Sequence, residues 1–183
     1  ETGGIYTRTG DNKTTAVYDP KLQNINRVDK DSIIVEAIGA VDELNSYLGV
    51  VRSLLKDKKI SENVRFIQIK LFEVGAILSG ASAEFSSEST KKIENVIDQI
   101  DDSLPPLKNF LLSEGSSAAV NLMYARALAR RAERRVVSAS RHIVVSKEVL
   151  SFLNRISDCL FVFFRKVNND SGFTPDLWYK DKK

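Results

Sequence analysis

The 183-residue chain has one cysteine, one histidine and four prolines, and each scarcity excludes something. A lone Cys159 rules out an intramolecular disulfide and a cysteine-based zinc cage, and fits a reducing compartment. A lone His142 makes a multi-histidine metal centre impossible and argues against a Ser-His-Asp triad. No run of about 18 uncharged apolar residues is present, so no transmembrane helix is expected. The opening Glu1-Thr2-Gly3-Gly4 shows no signal-peptide pattern. An excess of one charge is missing too. With 27 basic and 24 acidic residues the net charge is +3, too balanced for a polyanion coat or a membrane-surface protein.

Prolines at 20, 105, 106 and 175 leave 21–104 and 107–174 without the strongest helix breaker, and nine glycines are few for a sheet with many tight turns. Hydrophobic residues at 43% can build a core, so wholesale disorder is excluded.

Residues 1–32 lack a helical period, and they read as an ordered loop followed by a connector through Pro20. From Ile33 the pattern becomes helical. Val41, Leu44, Leu48, Val51 and Leu55 form one stripe, predicting a helix over 33–56 closed by Lys56-Asp57-Lys58-Lys59. Ser61 can cap a second helix on Val64, Ile67, Leu71, Val74 and Leu78. A polar loop follows over 80–90, then a shorter helix over 91–102 with Ile93, Val96, Ile97 and Ile100 inward, stopped by Pro105-Pro106. Two more helices are predicted over 116–138, on Leu122, Ala125, Ala129, Ala132 and Val136, and over 146–168, on Val149, Leu153, Ile156, Leu160, Phe163 and Val167. The expectation is an all-α bundle in one domain: 1–32 loop and connector, 33–168 bundle, 169–183 tail.

Three segments carry chemistry. Tyr6-Thr7-Arg8-Thr9-Gly10-Asp11-Asn12-Lys13-Thr14-Thr15 is dense in hydroxyl, cationic and backbone N–H donors, the composition that wraps phosphates. It is not a Walker A loop, and on local chemistry alone an ordinary turn explains it more economically. Over Arg126–Arg135, a period of about 100° places Arg126, Arg130, Glu133 and Arg134 in one sector bordering the alanine stripe, with Arg131 and Arg135 nearer the far side. Guanidinium groups there suit a triphosphate, with Glu133 holding one of them. A solvated basic face or RNA affinity remains the alternative, although aromatic residues for base stacking are missing. Asp42, Asn154, Arg155 and Asp158 sit beside apolar stripes, each of them an ordinary paired bundle residue when taken alone. Phe110 lies in an inter-helix loop where packing on the bundle end is the default. His142 reads as a solvated residue near a helix end, and Cys159 as a small core residue.

Together Tyr6-Thr-Arg-Thr-Gly-Asp11, Val41-Asp-Glu-Leu-Asn-Ser46, Pro105-Pro-Leu-Lys-Asn-Phe110, Arg130-Arg-Ala-Glu-Arg-Arg-Val-Val137 and Leu153-Asn-Arg-Ile-Ser-Asp158 resemble the PduO-type ATP:corrinoid adenosyltransferases, the family that includes the mitochondrial cobalamin adenosyltransferase. The resemblance covers residues 5–167. It implies a ferritin-like, cobalamin adenosyltransferase-like five-helix bundle, assembled as a homotrimer with active sites between subunits. It implies transfer of the 5′-deoxyadenosyl group of ATP to cob(I)alamin, giving adenosylcobalamin and triphosphate, with Mg²⁺ assisting the leaving group. By the same resemblance Thr7, Arg8, Thr9, Gly10, Asp11 and Thr15 fold over ATP, and Lys30, Arg130, Glu133, Arg134 and Asn154 complete its contacts. Arg126 matches an arginine paired across the interface with Asp42, and Phe110 matches the aromatic on the lower face of the corrin. A reductase and an adenosylcobalamin-dependent mutase are implied as partners, and nucleic acid and membrane are not. The implied compartment is the mitochondrial matrix in a eukaryote or the cytosol in a bacterium.

Two departures stand out. Lys13 occupies the second glycine of the family's Gly-Asp-x-Gly loop, and Ser113-Glu114-Gly115 replaces a Pro-Gly-Gly. The tail from Asn168 matches poorly, so Phe173, Trp178 and Tyr179 have no assigned role. Rival functions are delivery of cobalamin without synthesis and, more remotely, a polyanion-binding bundle.

Overall fold

The computed structural model describes residues 5, 6, 8–19 and 24–179. It contains a two-stranded antiparallel hairpin, β1 (Thr14–Asp19) and β2 (Asn24–Asp29). Five helices follow: α1 (Ile33–Leu54), α2 (Lys58–Leu78), α3 (Glu88–Asp101), α4 (Ser117–Ala139) and α5 (Lys147–Asp170). No helix among the described residues is long and apolar enough to cross a membrane.

Side-chain caps start four of the helices at or near the expected places. The hydroxyls of Ser32, Ser116 and Ser146 accept from Val35, Ala119 and Val149 N–H. The second helix begins earlier than expected. Asp57, not Ser61, is its cap, accepting from Lys59 and Ile60 N–H at 2.7 and 3.0 Å. A carboxylate at a helix start also meets the positive end of the dipole, which a hydroxyl does less well. The Lys56–Lys59 cluster therefore opens α2 instead of closing α1.

The predicted stripes are the core. Leu44 and Leu48 of α1, Ile67 and Leu71 of α2, and Phe152, Leu153, Ile156 and Leu160 of α5 are all essentially inaccessible. Helix α4 lies against both α1 and α5. Its buried positions are largely alanine (Ala125, Ala129, Ala132, Ala139), and small side chains let two neighbours approach one helix closely. Cys159 is 1% exposed, and burial pushes its thiol far above the ordinary range. The 80–90 loop is less polar in practice than in composition, because Phe85 is buried against Phe152 with ring centroids 5.1 Å apart.

The connector expected before the first helix is the hairpin. Its register pairs Thr15 with Val28 and Ala16 with Arg27. Thr15, Val17, Asn26 and Val28 are half-buried, while Ala16, Tyr18, Ile25 and Arg27 are exposed, the period-2 alternation of a strand with one covered face. One backbone bond docks the hairpin: Tyr18 N–H donates to Ser79 O at 3.0 Å. Next to it, Gly80 has φ +98°, and a Cβ there would stand 1.8 Å from Tyr18 O. Only glycine allows this approach. Gly80→Ala should therefore expel the hairpin, costing about 2–4 kcal/mol from the left-handed backbone and the overlap together. Thermal unfolding and accelerated proteolysis between residues 8 and 30 would report it.

Candidate functional site

The five arginines of α4 are divided among their neighbours. Arg131 pairs with Glu43 and Arg135 lies 3.8 Å from Glu36, both acids on α1. Both are exposed, as the helical projection suggests, but acids of α1 border the side they face. α4 packs against two helices, so the face turned from α5 meets α1. Arg126 is half-buried, its guanidinium carbon 5.7 Å from the Phe161 ring centroid on α5. Arg130 and Arg134 are exposed, and neither has an ion pair or hydrogen bond from its side chain among the described residues.

Between them stands Glu133, whose Oε1 accepts from Asn154 Nδ2 of α5 at 2.7 Å. That bond holds the carboxylate toward α5. Arg155 and Asp158, also considered as site members, are used elsewhere. Arg155 donates to Glu94 of α3 at 3.1 Å and to Asp158 at 2.9 Å. The hydrogen bond to Asp158 raises its already high pKa most; desolvation opposes the shift and Glu94 adds to it. This cluster ties α3 to α5 and leaves Asn154 as the residue facing α4.

The N-terminal loop forms a second group. Thr7 lies outside the described residues. Arg8 and Lys13 adopt φ of +58° and +63°, the left-handed region. Lys13 therefore takes the conformation for which a glycine would be the ordinary choice. Lys30 N–H donates to Lys13 O at 2.9 Å, extending the hairpin register by one pair. The Lys30 ammonium packs on Gly10, where an added Cβ would be 3.4 Å from Nζ. Thr15 lies on the covered face of β1, and Asp11 is exposed. Arg27, absent from every sequence motif, donates to Thr9 O, Thr14 O and Thr14 Oγ1. The sequence signal for it was available only through the hairpin register, which places Arg27 diagonally across from Thr14. No hydrogen bond or ion pair among the described residues joins this loop to Arg130 or Arg134.

Asp42 is exposed on α1 and likewise makes no ion pair among the described residues. It borders a groove between α1 and α2 lined by Gly39, Asn45, Phe72 and Gly75. Asn45 is 5% exposed, and its Oδ1 has no hydrogen-bond partner among the described residues. Phe72 is 71% exposed. Arg126 and Asp42 are not brought together within one chain.

Phe110 is 78% exposed, held outward by its loop and not packed on the bundle end. Arg165 of α5 donates to Asp101 and to Pro105 O, fixing the loop's start. Asn168 Nδ2 donates to Glu114 O at 2.8 Å, and Gly115 (φ +125°) lies so close that a Cβ would be 1.9 Å from Asn168 Oδ1. The tail joins this loop. Leu111 bridges Leu177, Trp178 N–H donates to Phe110 O, and the two rings meet edge-on with centroids 6.3 Å apart. Trp178 is thus the tail aromatic beside Phe110, while Tyr179 has no ring contact among the described residues and Phe173 lines a separate cavity with Pro105 and Pro106.

His142, in the turn after α4, is exposed. Among the described residues no three His, Cys, Asp or Glu gather into a metal cage.

Comparison with known proteins covers most of the chain. Residues 5–167 match the family model described as cobalamin adenosyltransferase. The chain is 36% identical over 176 residues to the corrinoid adenosyltransferase of Bacillus subtilis, covering 92% of this chain and 88% of that protein. It is 38% identical over 174 residues to the corrinoid adenosyltransferase PduO of Citrobacter freundii, spanning only 50% of that longer protein. Its fold superposes with a TM-score of 0.88, at 33% identity, on a variant PduO-type ATP:corrinoid adenosyltransferase from Lactobacillus reuteri complexed with cobalamin and ATP. That match covers 97% of this chain and 98% of the other.

The division of the arginines predicts a division of effects. Arg130→Ala and Arg134→Ala should each weaken binding of inorganic triphosphate by about tenfold, the scale of one charge-assisted hydrogen bond. Arg131→Ala and Arg135→Ala should change it less than about threefold, with a stability loss of at most about 1 kcal/mol, because their ion pairs are half-exposed. Calorimetric titration with thermal melts separates the two classes.

Proposed function

The chain belongs to the cobalamin adenosyltransferase family, and from that membership we propose that it transfers the 5′-deoxyadenosyl group of ATP to cob(I)alamin. The observation that carries the reading to named residues is the pair of uncommitted guanidinium groups, Arg130 and Arg134, beside a Glu133 anchored on Asn154.

The reaction is a displacement at carbon. The cobalt(I) electron pair attacks the ribose C5′; a cobalt–carbon bond forms, the C5′–oxygen bond breaks, and the bonding pair departs with the triphosphate. No proton has to be removed, so the protein's work is alignment and stabilisation of the departing charge. Arg130 and Arg134 receive the triphosphate oxygens. Glu133 orients a neighbouring guanidinium, and Asn154 prevents it from swinging into the anion's place. The loop Thr7–Asp11, with Thr15 and Lys30, covers the nucleotide. Mg²⁺ enters with ATP as part of the substrate, where phosphate oxygens and water supply most ligands and Asp11 is the carboxylate within the loop.

Subunit assembly completes the site in this reading. Among the described residues no hydrogen bond or ion pair joins the loop to Arg130 or Arg134, and none joins Asp42 to Arg126. A homotrimer in which Asp42 of one subunit meets Arg126 of the next accounts for both. The buried, unpartnered Asn45 Oδ1 in the groove beside Asp42 supports an occupant there. Phe110, with Trp178 against its edge, offers an apolar surface for the lower face of the corrin, displacing the axial ligand so that cobalt(II) accepts an electron more readily. A reductase supplies that electron and a mutase consumes the product. The compartment is the cytosol in a bacterium or the mitochondrial matrix in a eukaryote.

Formation of adenosylcobalamin from ATP and reduced cobalamin, followed by its absorption spectrum, tests the activity. In that assay Phe110→Ala should slow turnover from cob(II)alamin by about tenfold or more, and turnover from chemically supplied cob(I)alamin markedly less. Equal slowing would remove Phe110 from the reduction step. Asp42→Arg and Arg126→Asp should each lose activity and shift sedimentation toward smaller species, while the double variant recovers part of both. No recovery would sink the direct pairing.

A further inference from the structure

Arg27 sits on the exposed face of β2, yet its Nε and Nη2 are engaged with the loop that leads into β1. Nε donates to Thr14 Oγ1 at 2.9 Å, and Nη2 donates to Thr14 O at 2.9 Å and to Thr9 O at 2.5 Å. One rigid fork therefore bridges both ends of the segment from 9 to 14. The peptide between Thr9 and Gly10 is trans and planar, so its N–H points opposite to its carbonyl. Drawing the Thr9 carbonyl to Arg27 turns the Gly10 N–H away from it, and that N–H has no acceptor among the described residues. Arg8 just before the segment and Lys13 within it hold the left-handed region, conformations that each cost about 1 kcal/mol or more for a residue with a Cβ. An unrestrained chain would leave them.

The geometry points to Arg27 as a positioning residue: it holds the nucleotide loop in its binding-competent shape before ATP arrives, without itself contacting ATP. This rests on the proposed role of the loop in ATP binding. Its consequence is quantitative. When only a fraction of molecules hold the competent loop, apparent affinity falls by that fraction, while chemistry in the loaded site is unaffected. Lysine is a poor substitute, since a single ammonium cannot reproduce a planar fork reaching three acceptors. Position 13 makes the restraint matter more here than it would with glycine, because Lys13 does not settle at positive φ unaided.

The test uses the full chain, wild type and Arg27→Gln, with two readouts. The first is amide hydrogen exchange over residues 8–14 without nucleotide and with saturating ATP. Arg27→Gln should exchange about tenfold faster without nucleotide and approach wild type with ATP bound. The second is steady-state adenosyl transfer, in which the KM for ATP should rise about tenfold while kcat at saturating ATP and the KM for cobalamin stay within about twofold. Arg27→Lys should fall between the two. Should Arg27→Gln fail to fold, Thr14→Val removes only the Oγ1 acceptor and should give a smaller rise in the KM for ATP, about two- to threefold, with the same pattern. Unchanged loop exchange overturns the proposal, whether or not the KM moves, because a direct phosphate ligand would weaken ATP without loosening the free loop. Parallel losses in both KM values and in kcat overturn it as well. A wild-type protein that makes no adenosylcobalamin would instead refute the proposed function, and the exchange readout would still decide what Arg27 does to the loop.

Discussion

A guanidinium beside a closely packed helix face is constrained by its neighbours: it takes an acid or a ring where one is in reach, and otherwise extends into water, open to a foreign anion. Helix α4 faces this constraint five times in ten residues. The alanine positions that bring α1 and α5 close to α4 also bring their side chains within reach of its arginines. Glu36 and Glu43 answer for Arg135 and Arg131, and Phe161 answers for Arg126. Among the described residues no group answers for Arg130 and Arg134. Glu133, between them in sequence, is held by an amide from α5. Packing thereby sorts one basic segment into structural and available charges, which a composition count cannot do. It also weakens the view of the segment as a generic polyanion surface, since two of its charges are already neutralised.

The second constraint is backbone conformation in the loop that leads into the hairpin. Two residues with side chains hold positive φ within six positions, and the restraints on them come from outside the loop: the Arg27 fork, the Lys30 N–H bond to Lys13, and the docking of β1 on Ser79 through Gly80. The loop's shape is thus a property of the hairpin and its anchor, not of the Thr-Gly-Asp segment alone. A phosphate-binding loop with a glycine at position 13 would need less support.

The helices were legible because no proline falls between Ile33 and Leu104 or between Leu107 and Thr174, and the apolar period is unbroken within each helix. Leu44, Leu71, Leu122 and Ile156 were placed inward by spacing alone, and burial agrees. The hairpin was not legible, for two physical reasons. Its covered face uses Thr15 and Asn26 as well as Val17 and Val28, so the alternation is only half apolar. The residues between the strands, beginning at Pro20, lack the Asn-Gly or Asp-Gly pair that announces a tight hairpin. Missing the hairpin meant missing Arg27, which is adjacent to Thr14 only through strand register. The candidate site residues rest on resemblance, because the local chemistry of each leaves it ambiguous. What separates Arg130 from Arg131, or Asn154 from Arg155, is the neighbour each finds in three dimensions.

The Phe110 loop shows the same logic applied to an apolar group. Exposing a phenylalanine ring to water is unfavourable by roughly 1.5–3 kcal/mol relative to burying it, so an unconstrained loop would fold the ring onto the bundle end. Here the loop is held at both ends by α5: Arg165 at Pro105 and Asn168 at Glu114, with Gly115 leaving no room for the backbone to retreat. The tail then adds Trp178 from the side, bonded to Phe110 through the main chain, and covers an edge of the ring while leaving most of it open. Helix α5 therefore presents two groups that packing alone would have hidden: an aromatic surface at one end through Arg165 and Asn168, and, through Asn154, the acid beside two free arginines. A flat apolar ligand and a polyanionic one are the pair of chemistries that such a helix can serve together.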